Sequence, residues 1–271
     1  MVSGAKDETM TRGAIVVGAS SGIGAALARR LAADGYELGL AARRTDRLTE
    51  LGEELPTQAY VATMDVTDTD AAREAFDDLT AAMDRVELVV LSAGVGSINR
   101  ELEWPPERET IAVNVRGFTA LATAAIEYFE RGRSGPTADS ETATRRAHSS
   151  DPPIDGHLVG ISSVAAGFGS PDAPAYNASK AFVSRYLEGL RHRQSTRLAD
   201  VAITTVEPGF VDTDMALGDD LFWLCSPETA ADRIHWAIEN RRRHVYVTRR
   251  WRLIAWLFAI LPESIARRLL T

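Results

Sequence analysis

Short apolar runs alternate along the chain with stretches in which apolar side chains recur every three to four residues. Ala14-Ile15-Val16-Val17 is a β-branched run that ends at Gly18. Such a run reads as a strand buried on both faces. Over 23–33 the period changes, and Ile23, Leu27 and Leu31 share one helical face. The alternation then repeats. Strands are predicted at 36–41, 59–64, 86–91, 157–161, 201–206 and 244–247, and helices at 45–55, 69–83, 107–130, 173–194 and 227–240. Strands and helices alternating at this spacing make βαβ units, hence a parallel sheet covered on both faces. The predicted fold class is α/β: one doubly wound domain over 13–248, with about seven strands.

Two regions depart from this rhythm. Residues 131–156 are rich in Ser, Thr, Gly, Pro, Asp and Arg and poor in apolar positions. They stand where two to six residues would connect a helix to a strand, so they read as a polar surface insertion. Beyond 248, Trp251, Leu253, Ile254, Trp256, Leu257, Phe258, Ile260 and Leu261 gather behind Arg249, Arg250 and Arg252. They belong to a helical extension over 249–271, and the apolar cluster itself, 251–261, is too short to span a bilayer. Two readings stand: it docks on the body or a partner subunit, or it lies on a membrane surface with arginines at the headgroups. The first twelve residues are polar, without the apolar core of a signal peptide, and read as a disordered tail.

Composition narrows the function. The formal charge of −8 argues against nucleic acid as a partner, because phosphate binding wants a basic face. The single cysteine, Cys225, has no internal disulfide partner and belongs to no metal-ligand pattern. No 18-residue apolar stretch exists, and the cytoplasm is the expected location.

Candidate chemistry begins at the turn Gly18-Ala19-Ser20-Ser21-Gly22-Ile23-Gly24, which leaves the first strand and opens the first helix. Glycines there let the backbone approach a pyrophosphate, and the helix N-terminus offers free N–H groups. The second strand ends in Ala41-Ala42-Arg43-Arg44, where NAD-binding proteins commonly carry a carboxylate for the ribose. Two guanidinium groups there favour a 2′-phosphate, so NADP is the expected cofactor. Only two lysines occur, and one, Lys180, follows Tyr176 by four residues. Residues four apart share a helix face, and an ammonium beside a phenol is expected to lower its pKa and fit it for proton transfer.

With these features together, the chain resembles the short-chain dehydrogenase/reductase family, in its single-domain Rossmann branch, from about residue 13 to 247. Asp65-Val66 matches the pair that frames the adenine. Ser92-Ala93-Gly94 matches the motif after the fourth strand, and Asn114-Val115-Arg116-Gly117 the catalytic-asparagine motif. Ser163 stands thirteen residues before Tyr176, the family's separation, and Pro208-Gly209 with Val211 and Thr213 matches the segment that holds the nicotinamide carboxamide. The resemblance implies an oxidoreductase with Asn114, Ser163, Tyr176 and Lys180 as catalytic residues. It implies that Tyr176 exchanges the proton, Ser163 binds the substrate oxygen, Lys180 also holds the nicotinamide ribose and Asn114 holds a relay water. The cofactor would be held by Gly18, Ser20, Ser21, Gly22, Ile23, Gly24, Arg43, Arg44, Asp65, Val66, Ala93, Gly94, Tyr176, Lys180, Pro208, Gly209, Val211 and Thr213. Val17 and Ser92 stand where the family often has Thr and Asn, which touches the sheet's centre more than the chemistry. The family also implies a homodimer or homotetramer.

Phe168, Phe210, Met215, Leu217, Leu221, Phe222, Trp223 and Leu224 are the expected pocket lining. They point to an apolar ketone, aldehyde or secondary alcohol. A lipid-modifying reductase at a membrane surface and an NADP-binding protein without turnover are the rival readings.

Overall fold

The computed structural model describes residues 12–131, 156–196, 201–213, 223–248, 250–251 and 253. The first eleven residues, most of the 131–156 insertion and nearly all of the C-terminal extension lie outside them.

Seven strands form one sheet in the order β3-β2-β1-β4-β5-β6-β7. They are β1 Gly13–Val17, β2 Glu37–Ala42, β3 Ala59–Thr63, β4 Leu88–Leu91, β5 His157–Ile161, β6 Ala202–Pro208 and β7 His244–Val247. Every pairing is parallel. The helices are α1 Gly22–Ala33, α2 Thr45–Glu54, α3 Thr69–Ala82, α4 Trp104–Ile111, α5 Phe118–Arg131, α6 Pro174–Ser195 and α7 Pro227–Glu239. The architecture is the doubly wound α/β fold that the apolar pattern predicts.

Strand alternation divides the core in two. Ala14 and Val16 point to one face, beneath Leu27 and Leu31 of α1, Leu48 of α2 and Ile234 of α7. Ile15 and Val17 point to the other, beneath Phe76 of α3, Leu121 and Phe129 of α5 and Leu187 of α6. Both faces of β1 are dry, which is why its sequence is continuously apolar.

The predicted helix at 107–130 is corrected. It begins earlier, at Trp104, and its middle, Ala112–Gly117, is wound as a π-helix between α4 and α5. Such a widened turn is uncommon and concentrates at functional positions; this one carries Asn114. The side-chain changes at Val17 and Ser92 leave strand pairing intact, because Ser92 N donates to Val17 O at 2.8 Å.

The order reverses between β1 and β4, whose carboxyl ends therefore diverge into a crevice. The opposite end of the sheet holds a buried imidazole. Thr204 gives its hydroxyl proton to Arg242 O at 2.5 Å, so His157 Nε2, at 2.8 Å, donates to Thr204. Burial, aided by the charge of Arg241, pushes His157 down to about 4. An unfolded chain takes up this proton near pH 6.5, whereas the folded chain refuses it until about pH 4. The contribution is complete above pH ~6.5 and is lost as pH falls through this window, by about 3 kcal/mol. Denaturant unfolding at pH 7 and pH 4.5 checks this. His157→Gln should lose distinctly less stability between the two pH values than the parent.

Candidate active site

One cavity of about 640 Å³ opens at the carboxyl ends of the strands. Its walls include the glycine turn, Arg43, Arg44, Asp65, Val66, Ala93, Gly94, Ser163, Tyr176, Lys180, Pro208, Gly209, Val211 and Thr213. The topology thus brings nearly every residue expected from the sequence to one crevice. Gly24 and Asn114 do not line it. Gly24 is buried in α1 against the turn, and Asn114 is buried behind the wall.

The turn is shaped for close approach to a ligand. Gly18 and Gly22 have φ of +89° and +54°, a region L-residues rarely adopt. Arg44, the residue before α2, crosses above the turn. Its Nη2 donates to Ser20 Oγ at 3.0 Å and Ser21 Oγ at 2.7 Å. Asp65 Oδ1 accepts from Thr67 N at 2.9 Å and from Thr67 Oγ1 at 2.8 Å. These bonds, helped by the charge of Arg43, hold its carboxyl below the usual range. Thr213 lies close against Gly22, so the segment after β6 curls back onto the glycine turn. Cys225 pins that segment through Asp212 N to Cys225 O at 2.9 Å and Cys225 N to Phe210 O at 3.1 Å. The open cavity beside the glycine turn, with the arginines at its rim, fits a phosphorylated dinucleotide.

The polar residues converge on Tyr176, at the start of α6. Ser162 and Ser163 directly follow β5. Ser162 Oγ donates to Lys180 O at 2.8 Å and serves the fold. Ser163 faces the cavity, caps the 3-10 turn Val164–Gly167 by accepting from Ala165 N at 3.1 Å, and hydrogen-bonds Tyr176. Lys180, only 5% exposed, donates from Nζ to Ile161 O at 3.1 Å and lies 5.7 Å from the centre of the Tyr176 ring. Burial lowers its pKa to about 8, so the ammonium form prevails at neutral pH.

The expectation that Lys180 lowers the Tyr176 pKa is corrected. Burial raises the phenol above its ordinary value, and the bond with Ser163 only partly opposes this. Desolvation is the dominant cause, although the side chain keeps partial exposure at the cavity wall. The neutral phenol is therefore strongly favoured.

Asn114, 2% exposed, clasps the backbone of Val95. Its Oδ1 accepts from Val95 N at 2.9 Å, and its Nδ2 donates to Val95 O at 2.8 Å and to Ser179 Oγ at 3.0 Å. This bolts the π-helical segment, the loop after β4 and α6 together. Two supporting residues escaped the sequence reading. Ser179 Oγ donates to Tyr176 O at 2.7 Å. Asn177 Nδ2 donates to Ala165 O at 3.1 Å and Phe168 O at 2.9 Å, holding the loop that carries Phe168 over the cavity. Both lie within the Tyr176–Lys180 run, where polar residues on the buried side of a helix were the available signal.

Trp251 is also missing from the expected lining, yet it is buried in the cavity wall against Phe210. The start of the C-terminal extension therefore docks on the body, while Leu253 is exposed. Among the described residues no helix is long and apolar enough to cross a membrane. Of the expected pocket residues, Phe168 and Phe210 line the cavity, whereas Trp223 and Leu224 are exposed and do not line it; Met215, Leu217, Leu221 and Phe222 lie outside the described residues.

A parallel sheet with its glycine turn, polar cluster and crevice at a topological switch point defines a dinucleotide-dependent oxidoreductase class. The family model for short chain dehydrogenases matches residues 12–137 and 147–220, and the chain belongs to that family. It is 32% identical over 266 residues to an uncharacterized oxidoreductase of Mycobacterium tuberculosis, covering 94% of this chain and 95% of the relative. A short-chain dehydrogenase from Sphingobium yanoikuyae, solved with NADPH, superposes with a TM-score of 0.71 at 22% identity, over 93% of this chain and 97% of its own. One from Burkholderia phymatum, solved with NAD, gives a TM-score of 0.74 at 20% identity over 91% and 92%.

Proposed function

We propose that this chain is an NADP(H)-dependent oxidoreductase that interconverts an apolar ketone or aldehyde and its alcohol. One observation carries the reading: Ser163, Tyr176 and Lys180 share a single cavity with the glycine turn and an arginine-rimmed end. Bound NADPH would supply the hydride. Gly18, Ser20, Ser21, Gly22 and Ile23 would hold its pyrophosphate, with Gly24 letting α1 pack close beneath the turn, Asp65, Val66, Ala93 and Gly94 its adenosine side, and Pro208, Gly209, Val211 and Thr213 its nicotinamide.

Tyr176 donates its phenolic proton to the substrate oxygen as negative charge develops there. Its raised pKa keeps that proton in place until the substrate needs it. Ser163 hydrogen-bonds the same oxygen and steadies the charge. Lys180, an ammonium at neutral pH, would hold the cofactor ribose and supplies positive charge beside the phenol. Asn114 keeps the Val95 loop and α6 in register; a water at this clasp would return a proton from solvent toward Lys180.

The solved neighbours carry NADPH in one case and NAD in another, so the preference for NADP rests on Arg43 and Arg44. Neither is matched by a carboxylate at the end of β2, and Arg44 already reaches the turn. Losing two charge-assisted contacts should cost about 1.5–3 kcal/mol each. The Arg43→Ala/Arg44→Ala variant should therefore lose at least about a hundredfold in affinity for NADPH and little for NADH. Fluorescence titration with both cofactors checks this; an unchanged ratio removes the assignment. The reaction itself is tested by NADPH oxidation against a panel of apolar and charged carbonyls. Turnover of charged carbonyls alone would overturn the apolar reading, and turnover of none would leave an NADP-binding protein.

A further inference from the structure

We infer that a second polar cavity, at the amino ends of the strands, is a binding site for inorganic phosphate. It lies at the opposite end of the sheet from the cofactor crevice, and the inference does not depend on the carbonyl-reductase reading.

This cavity, of about 240 Å³, opens where β1, β4 and β5 begin and α7 ends. Arg12, Arg85, Glu87, His157, Glu239 and Arg241 bring its charged and titratable groups, with Tyr36 beside them. Three guanidinium groups against two carboxylates leave an excess of one positive charge while His157 is neutral. Behind Glu239, Asp34 and His235 approach it, and Asp34 is offset by Arg30 at 3.7 Å. The cavity is therefore charged for an anion.

Arg12 is already engaged, since its guanidinium bonds Glu87, Tyr36 and Glu239. Arg85 is not. Its side chain is 19% exposed, and its ion pair with Glu87 Oε2 is loose, at 3.9 Å. Among the described residues its guanidinium makes no hydrogen bond, and its Nε is wholly buried. A mostly buried guanidinium that donates to nothing is costly.

His157, 6% exposed, supplies an independent sign. Its Nε2 donates to Thr204, so the neutral ring carries a bare lone pair on Nδ1. Nδ1 has no partner among the described residues, and it is not sealed in as Arg85 Nε is, so it is open to the cavity that His157 lines. The charge of Arg241 helps to keep this ring neutral.

An unpartnered donor and an unpartnered acceptor in one charged cavity specify the ligand. It must bring lone pairs to Arg85 and a proton to Nδ1. Chloride and sulfate bring lone pairs only, and would set them against Nδ1, Glu87 and Glu239. Inorganic phosphate near neutral pH carries charged oxygens and still keeps a P–OH. Its charged oxygens accept from Arg85, and its P–OH donates to Nδ1. A phosphate ester loses its last proton near pH ~6, so an ester is a poor match above that pH.

The test uses the full chain saturated with NADPH, which keeps added phosphate away from Arg43 and Arg44. Nitrogen-15 NMR of histidine-labelled protein at about pH 7.5 follows the ring signal that is absent from His157→Gln. Inorganic phosphate should shift the Nδ1 signal saturably. Sulfate at equal ionic strength and phenyl phosphate should not. Thermal unfolding should rise by about 2–4 °C per tenfold of phosphate beyond the rise that sulfate gives. Arg85→Met should weaken phosphate binding at least about tenfold, and Arg85→Lys less. His157→Gln can keep the bond to Thr204 but places nothing at Nδ1, so its preference for phosphate over sulfate should vanish. An unmoved His157 signal in the parent chain overturns the inference, as does an equal shift with sulfate, or unchanged binding in Arg85→Met. Loss of binding in Arg43→Ala/Arg44→Ala would place the phosphate in the cofactor crevice and also overturn it. Phenyl phosphate binding as tightly as inorganic phosphate would remove the P–OH from recognition, and the assignment with it.

Discussion

Tyr176→Phe is expected to lower the rate of carbonyl reduction by about 10²- to 10⁴-fold, the range a positioned general acid contributes. NADPH affinity should stay within about twofold. The substitution deletes one oxygen and keeps the ring, which is packed against Gly96 on one side and faces Lys180 on the other. No other phenol, imidazole or carboxyl among the described residues lines the cavity beside it except Asp65, which is turned into its own Thr67 loop. Ser163 remains, but a hydroxyl of ordinary acidity replaces a phenol poorly. Single-turnover NADPH oxidation separates the chemical step from binding. A Phe variant of full activity would remove Tyr176 from the reaction.

Gly96→Ala should cost about 10²-fold in turnover through a single methyl group. That carbon would stand 2.6 Å from Tyr176 Cδ2 and 2.9 Å from Cε2, nearer than real side chains approach. The ring must move, and it carries the reacting oxygen with it. A misplacement on the order of 1 Å is worth about this much in rate. The fold should survive, since Gly96 sits in the loop after β4 and not in the sheet. Turnover with unchanged circular dichroism is the measurement; parental turnover would mean that the phenol tolerates the shift.

Much of this architecture was legible because burial writes periodicity into the chain. β5 and β7 fall at the residues the pattern predicts, and the other strands within one or two positions. The site was legible for another reason: a glycine turn between a strand and a helix, and Tyr176 four residues before Lys180, are local arrangements. What escaped is non-local. The π-helical turn at Asn114 is a change of backbone hydrogen-bond register that Ala112–Gly117 does not announce. Trp251 meets Phe210 across forty-one positions of chain, and nothing in its own neighbourhood, an arginine-flanked apolar run, distinguishes a cavity wall from a tail. The phenol's pKa failed similarly. Spacing reveals that a cation is near, but how much water is removed depends on every segment folded around it.

His157 opens β5 and Ser163 follows its end, so roughly 20 Å of strand separates them. Changes at such a distance add independently. The lower rim of the sheet governs how much acid the molecule survives, and the upper rim governs what it converts. Selection, or an engineer, can therefore shift the pH range of survival through His157, Thr204 and Arg241 without renegotiating the reaction at the other end.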